Sequence, residues 1–172
     1  HIVVVLENKV YIHRFKDLKL LVQIPTCSNT KGLIALCPEL KHIVLAIPGT
    51  TKGSVRVELF DIRKNITIQC HSSDLAQIAL SRDGNLLATA SDKGTLIRLW
   101  NPHEGTAVRE LRRGSDRADI YCLAFSPKGT YLACTSDKGT AHIFSLQQGD
   151  GTAAAAGGTQ SPPGSPRVEE GE

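Results

Sequence analysis

Methionine is absent from this chain of 172 residues, tryptophan occurs once, and aromatic residues make up only 5% of it. Any core must therefore be built from aliphatic side chains, and the hydrophobic fraction of 41% suffices for one. Long apolar runs are lacking too. The opening Ile2-Val3-Val4-Val5-Leu6 soon meets Glu7, Asn8 and Lys9, whereas a membrane-spanning helix needs about 20 apolar residues. No signal peptide or transmembrane segment is expected, and the chain reads as soluble or peripheral. Its first residue is His1, as in a chain whose natural start lies elsewhere.

Paired cysteines are also missing. Cys27, Cys37, Cys70, Cys122 and Cys134 are odd in number and contain no Cys-x-x-Cys. Each is flanked by strand-like residues, so buried free thiols in a reducing compartment are expected. No pair has zinc-ligand spacing, and no metal is expected. There is no Ser/His/Asp constellation and no Walker loop, so the chain reads as a non-enzyme without a cofactor.

What is present is an uneven charge. The net charge is +3, but residues 147–172 hold Asp150, Glu169, Glu170 and Glu172 against Arg167 alone. Residues 1–146 therefore carry 19 basic against 13 acidic side chains, or +6. Such a body suits a negatively charged partner, either an anionic membrane or nucleic acid. The stacking aromatics that hold single strands are too few, and no recognition helix is evident, so no nucleic acid is expected. From 147 onwards Gly, Ala, Ser, Pro and acids dominate, with Val168 the only large aliphatic residue after Leu146. A segment of that composition cannot offset its ordering entropy. The division expected is a folded 1–146 and a disordered 147–172.

The body repeats itself. Leu87-Ala88-Thr89-Ala90-Ser91-Asp92-Lys93-Gly94-Thr95 recurs as Leu132-Ala133-Cys134-Thr135-Ser136-Asp137-Lys138-Gly139-Thr140, an offset of 45 residues. A weaker copy lies upstream, with Ile43-Val44-Leu45-Ala46 followed by Lys52-Gly53-Ser54. A period in the forties, made of short β-prone runs such as Ile97–Trp100 and Ala141–Phe144, is the signature of a propeller blade. Asp83-Gly84 and Lys128-Gly129 stand where hairpin turns belong. The spacing predicts strands over 75–81, 86–91, 95–100 and 106–111, with another blade beginning near Ala118. The fold class is thus all-β, a β-propeller of WD-repeat type. About three and a half blades fit, whereas a closed ring of seven needs about 300 residues, so the chain is expected to be a segment of a propeller.

Between the two best repeats lies Leu111-Arg112-Arg113-Gly114. Neighbouring side chains of an extended strand point to opposite sides, so Arg112 and Arg113 are expected to face different blades, with Gly114 allowing a sharp turn. The blade before them offers Thr89, Ser91, Gly94, Thr95 and Arg98. The blade after them offers Ser136, Gly139, Thr140 and His142. Hydroxyls, open glycine amides and a cation are what a phosphate requires, and arginine adds a bidentate fork. Because exposed charges add little stability, replacing both arginines is expected to leave the fold intact.

Leu-Arg-Arg-Gly, the Ser-x-x-Gly-Thr loops on either side, and Ala118-Asp119-Ile120-Tyr121 resemble the PROPPIN family, called WIPI proteins in animals. The resemblance covers nearly all of residues 1–146. It implies a propeller that binds phosphatidylinositol 3-phosphate and phosphatidylinositol 3,5-bisphosphate. It also implies autophagy proteins as partners and recruitment from the cytoplasm to the phagophore assembly site and to endosomal, vacuolar or lysosomal membranes. It assigns one lipid site to His71, Thr89, Ser91, Gly94, Thr95, Arg98 and Arg112, and a second to Arg113, Gly114, Ser136, Thr140 and His142. The family's apolar membrane loop would follow Leu146, where this chain has its Gly/Ala/Pro/acid tail instead. Headgroup binding without insertion is expected to be weaker. The rival reading is a WD-repeat scaffold that binds proteins and no lipid, since fold alone does not fix function.

Overall fold

The structure is a computed structural model and describes residues 1–37 and 43–147. Most of the tail expected to be disordered, 148–172, lies outside the described residues, and with it all but Gln147 of the segment after Leu146 where the resemblance would place an apolar loop.

The described residues form four antiparallel sheets in which every strand pairs with its neighbour in sequence. The first sheet holds β1 (Ile2–Val5), β2 (Lys9–His13) and β3 (Leu20–Pro25). The second holds β4 (Ala35–Leu36), β5 (Val44–Pro48), β6 (Ser54–Leu59) and β7 (Lys64–Gln69). The third holds β8 (Leu75–Leu80), β9 (Leu87–Ser91), β10 (Leu96–Asn101) and β11 (Thr106–Arg112). The fourth holds β12 (Ile120–Phe125), β13 (Tyr131–Ser136) and β14 (Ala141–Ser145). The expected strand boundaries match to within one residue in the third sheet. The fourteen strands of the described residues, at four to a blade, make the three and a half blades expected.

Local chemistry sets the hairpins. Between β8 and β9, Gly84 has φ +72°, a conformation that glycine adopts without penalty. Ser81 Oγ donates to Asp83 Oδ1 at 2.6 Å, and the same carboxylate oxygen accepts the Asn85 amide at 3.1 Å. Gly129, with φ +68°, closes the matching turn between β12 and β13.

Packing on both faces explains why the central strands are buried. The third sheet turns Leu75, Ile78 and Leu87 towards Val44, Val55, Val57 and Ile68 of the second. Its other face carries Ala88, Ala90, Ile97, Leu99 and Leu111 against Ile120, Leu123, Leu132 and Cys134 of the fourth. Every residue of β9 is consequently buried. The first sheet joins the second through Val10, Ile12 and Ile24 against Leu45 and Ile47. Each fully buried aliphatic side chain contributes about 1.5–3 kcal/mol relative to exposure, so the sheets are held face to face by these seams.

One expectation about the thiols is corrected. Cys37, Cys70 and Cys134 are buried, but Cys122 is exposed and Cys27 half-buried. Cys122 lies in β12 beside the exposed Tyr121, on a strand whose buried side is carried by Ile120 and Leu123.

Candidate anion-binding seams

The register of the third sheet decides which candidate residues share a face. Arg98 pairs with Thr89 on one side and Glu110 on the other, while Leu96 pairs with Arg112. Ser91 and Thr89 alternate with the buried alanines of β9, so Thr89, Ser91, Arg98 and Arg112 all face the second sheet. His71 joins them from the β7–β8 connector, with its Nε2 3.0 Å from Thr89 Oγ1. Five of the residues expected at the first site thus lie in one seam.

The interior of that seam is occupied by its own hydrogen bonds. Thr89 is fully buried, and its Oγ1 also accepts from Trp100 Nε1 at 3.0 Å. Trp100 packs against the second-sheet core as well as donating this bond. His71 is 5% exposed. Burial, reinforced by the Arg98 charge, lowers its pKa to about 4, so the ring is neutral near pH 7. Cys70 beside it is pushed up to about 12, chiefly by burial, and remains a thiol. The polar groups at the seam mouth are Arg98, which is half-buried, and Arg112, which is exposed. Arg112 has no hydrogen-bond or ion-pair partner among the described residues.

Gly94 serves the site in a different way from the one expected. Its amide donates to Ser91 O at 2.9 Å, so it is not open to an anion. Its φ is +67°, and a Cβ there would lie 1.9 Å from Ala118 O. Glycine is required because the turn folds left-handed against the next connector. The preceding blade repeats the device, for a Cβ on Gly53 would lie 2.0 Å from His71 O.

Arg113 follows the alternation of β11 and lies on the side of the buried Leu111, towards the fourth sheet. Its charge is felt by Cys134 of β13, whose thiol burial pushes up to about 11 and Arg113 partly draws back. Arg113 is only 8% exposed. Its Nε donates to Gly94 O, and its Nη2 donates to Asp116 O. Its own amide donates to Thr95 O at 2.9 Å. The expectation that both arginines are dispensable to the fold is therefore corrected: Arg113 is a buried cation tied to two carbonyls, and only Arg112 is an exposed one.

The second seam gathers Ser136, Thr140 and His142. Cys134 pairs with His142 and Thr135 with Ala141, so His142 shares the face of Cys134 that packs on the third sheet. Thr140 Oγ1 lies 3.2 Å from His142 Nε2. Ser136 is buried, whereas Thr140 is exposed and His142 half-buried. Gly114 is half-buried beside Arg113, and its amide reaches Thr95 O at 3.4 Å. The 45-residue repeat loses one residue through the second turn. Ala90 pairs with Ile97 but Thr135 with Ala141, so His142 stands where Arg98 stands in the blade before.

Sequence reasoning missed Glu110. Its Oε2 accepts from Arg98 Nε at 2.9 Å, while Arg98 Nη1 donates to Cys70 O at 2.7 Å. The signal was available, since Glu110 precedes Arg112 by two residues on a strand and so shares its face.

The family model described as PROPPIN matches residues 1–161. Autophagy-related protein 18e of Arabidopsis thaliana is 44% identical over 149 residues, covering 86% of this chain and 39% of the relative. Autophagy-related protein 18 of Dictyostelium discoideum is 40% identical over 146 residues, covering 84% and 39%. Among solved structures, Kluyveromyces lactis Hsv2 with complete loop 6CD superposes with a TM-score of 0.72 at 28% identity, over 86% of this chain and 46% of that one. KlAtg21, solved in complex with the coiled coil of AgAtg16, superposes with a TM-score of 0.67 at 30% identity, over 84% and 49%. The chain spans about two fifths of the length of the curated relatives it matches.

Proposed function

This chain belongs to the PROPPIN family, which is non-enzymatic, and on that premise we propose that it is a phosphoinositide-binding membrane effector. The ligands are phosphatidylinositol 3-phosphate and phosphatidylinositol 3,5-bisphosphate on cytosolic membrane surfaces, in autophagosome assembly and endosomal or vacuolar trafficking. One headgroup enters the seam of Arg98 and Arg112; another enters the seam of Arg113, Ser136, Thr140 and His142. The observation that carries this reading is Arg112, an exposed guanidinium with no partner among the described residues, at the mouth of a seam that also presents Arg98.

Arg112 supplies a charge-assisted, bidentate contact to a phosphate. Arg98 adds a second cation, and the Ser91 and Thr95 region forms the rim. The second seam uses the Thr140 hydroxyl and the half-buried His142 imidazole, with Arg113 contributing field from inside. Two modest sites on one rigid body give avidity through effective concentration. Lys93, exposed on the adjacent turn, adds long-range attraction to an anionic surface.

Liposome flotation tests this. Vesicles of phosphatidylcholine carrying phosphatidylinositol 3-phosphate, the 3,5-bisphosphate, or phosphatidylserine at matched charge are compared with the parent chain and Arg112→Thr. Selective flotation with the 3-phosphorylated lipids, weakened in the variant, is expected. Equal flotation with all three vesicles contradicts a headgroup site.

A second reading is favoured by one neighbour, KlAtg21 solved with the coiled coil of AgAtg16. In that reading the blades dock a coiled-coil protein of the autophagy machinery, and lipid is incidental. Retention of a coiled-coil partner by a folded chain that floats with no vesicle supports it.

A further inference from the structure

The connector after β11 is pinned at both ends and open between them. Arg113 ties down its start, and at its end the Ala118 amide donates to Lys93 O at 3.2 Å. Ser115, Asp116 and Arg117, between these anchors, are all exposed, and nothing lies within 4 Å of a Cβ on Gly114. The Ser115 hydroxyl stands on the surface and donates to Asp116 Oδ1 at 3.4 Å.

Arg112 stands three residues before Ser115. No other arginine in the sequence has a serine or threonine three positions on. A guanidinium at that spacing, on an exposed irregular segment, is what an arginine-directed serine kinase reads, since carboxylates beside its active site pair with the fork. Arg113, one position nearer, is committed to two carbonyls and is not available for this.

The charge around the connector is finely balanced. Arg113 is buried towards the fourth sheet. The remaining charged side chains of the connector, of the turn beneath it and of the seam mouth are Arg98, Arg112, Arg117 and Lys93 against Glu110, Asp92 and Asp116. Four cations against three anions leave a surplus of one positive charge. A serine phosphate carries about −1.5 to −2 near pH 7 and so reverses the sign. Three residues of chain span at most about 11 Å, which brings both long side chains within reach of each other. Arg112 is the cation there without a partner of its own, whereas Arg98 is held by Glu110 and Arg117 by Asp92.

We propose that Ser115 is a phosphorylation site for an arginine-directed serine kinase, and that its phosphate closes the first seam to headgroups by engaging Arg112. This rests on the phosphoinositide reading above. In the transfer, Ser115 Oγ attacks the γ-phosphorus of ATP. The new O–P bond replaces the bond from that phosphorus to the β,γ-bridging oxygen, ADP leaves, and the hydroxyl proton passes to the kinase's catalytic base. The phosphoserine then offers Arg112 the same bidentate pairing that a headgroup offers, and repels the headgroup as well.

The test has two parts. The full chain is incubated with ATP, Mg2+ and a calmodulin-dependent serine kinase that reads arginine three residues upstream, and the phosphate is located by mass spectrometry. Phosphate on Ser115, and its loss in Arg112→Thr, is expected; no phosphate on Ser115 overturns the modification site. The full chain carrying phosphoserine at position 115 is then floated with phosphatidylcholine vesicles containing increasing phosphatidylinositol 3-phosphate. It is compared with the parent, Ser115→Ala, Ser115→Asp, Arg112→Thr, and a chain with phosphoserine at position 30 in place of Thr30, which is exposed in the β3–β4 connector. Phosphoserine at 115 is expected to weaken binding about tenfold, what one lost charge-assisted hydrogen bond supplies. Ser115→Asp, with a single charge, should weaken it about two- to threefold and serves should the phosphorylated chain fail to fold. Ser115→Ala and the chain modified at position 30 should bind as the parent does. Parental binding with phosphoserine at 115, or an equal loss with phosphoserine at 30, overturns the switch; if Arg112→Thr still loses binding, the lipid reading stands without it. If Arg112→Thr binds as the parent does, the lipid reading fails and the switch with it.

Discussion

Arg112 and Arg113 are joined by one peptide bond yet belong to different seams. Arg112 is exposed on the face shared with Arg98, whereas Arg113 is 8% exposed and bonded to the carbonyls of Gly94 and Asp116. The same dipeptide thus combines a free cation with a structural one, and the two should behave differently when removed.

Arg113→Ala strips the buried Gly94 carbonyl and the more exposed Asp116 carbonyl of a charged donor, which costs about 1–3 kcal/mol. Arg112→Ala removes an unpartnered surface charge and should fall within about 0.5 kcal/mol of the parent. Urea unfolding of the two single variants checks this; equal midpoints would sink the distinction.

Gly94 and Gly139 occupy matching turns with φ +67° and +70°. Gly94→Ala adds a clash with Ala118 O to the left-handed strain, whereas nothing lies within 4 Å of a Cβ on Gly139. Gly139→Ala is expected to cost about 1 kcal/mol, and Gly94→Ala clearly more, since backbone must shift. Thermal melts of both variants read the difference, and equal losses contradict the close packing at Ala118.

His71 makes stability depend on pH. Burial, then the Arg98 charge, lowers its pKa from 6.5 to about 4 in the folded chain. Between those values the unfolded state binds the proton and the folded state does not. The contribution is fully present above pH 6.5 and is lost as pH falls towards 4, to a total of about 3 kcal/mol. Unfolding of parent and His71→Gln from pH 7 to 4.5 should show a steeper acid loss in the parent. Parallel profiles would show that His71 does not titrate in this way.

Thr89→Val takes the acceptor from Trp100 Nε1 and the partner from His71. About 1–3 kcal/mol of stability should go with it. Because Thr89 is fully buried, lipid flotation by the variant, measured where it remains folded, should match the parent. Loss of binding in a folded Thr89→Val would mean that the headgroup reaches deeper than the seam mouth.

The strands were legible because a propeller is built from local hairpins. Each blade repeats the same short runs and the same left-handed glycine, so Leu87–Thr95 and Leu132–Thr140 announce one another. The opposite facing of Arg112 and Arg113 was legible for a similar reason, since it needs only the strand period. What the repeat could not convey is depth. Nothing in Thr89 or Arg113 as letters distinguishes a buried hydroxyl or guanidinium from one at the rim. That follows from how closely a neighbouring sheet approaches. Nor did the pattern reveal that the Gly94 amide is committed to Ser91. Glu110 is a carboxylate in a seam otherwise marked by cations and hydroxyls, so only its two-residue spacing from Arg112 placed it on the same face.

The most direct measurement is the stoichiometry of headgroup binding. Calorimetric titration of the chain with a water-soluble, short-chain phosphatidylinositol 3-phosphate, beside Arg112→Thr, counts the seams one at a time. Two headgroups per parent chain and one per folded Arg112→Thr chain is the predicted result. Unchanged stoichiometry and affinity in the variant would contradict a headgroup site at Arg112.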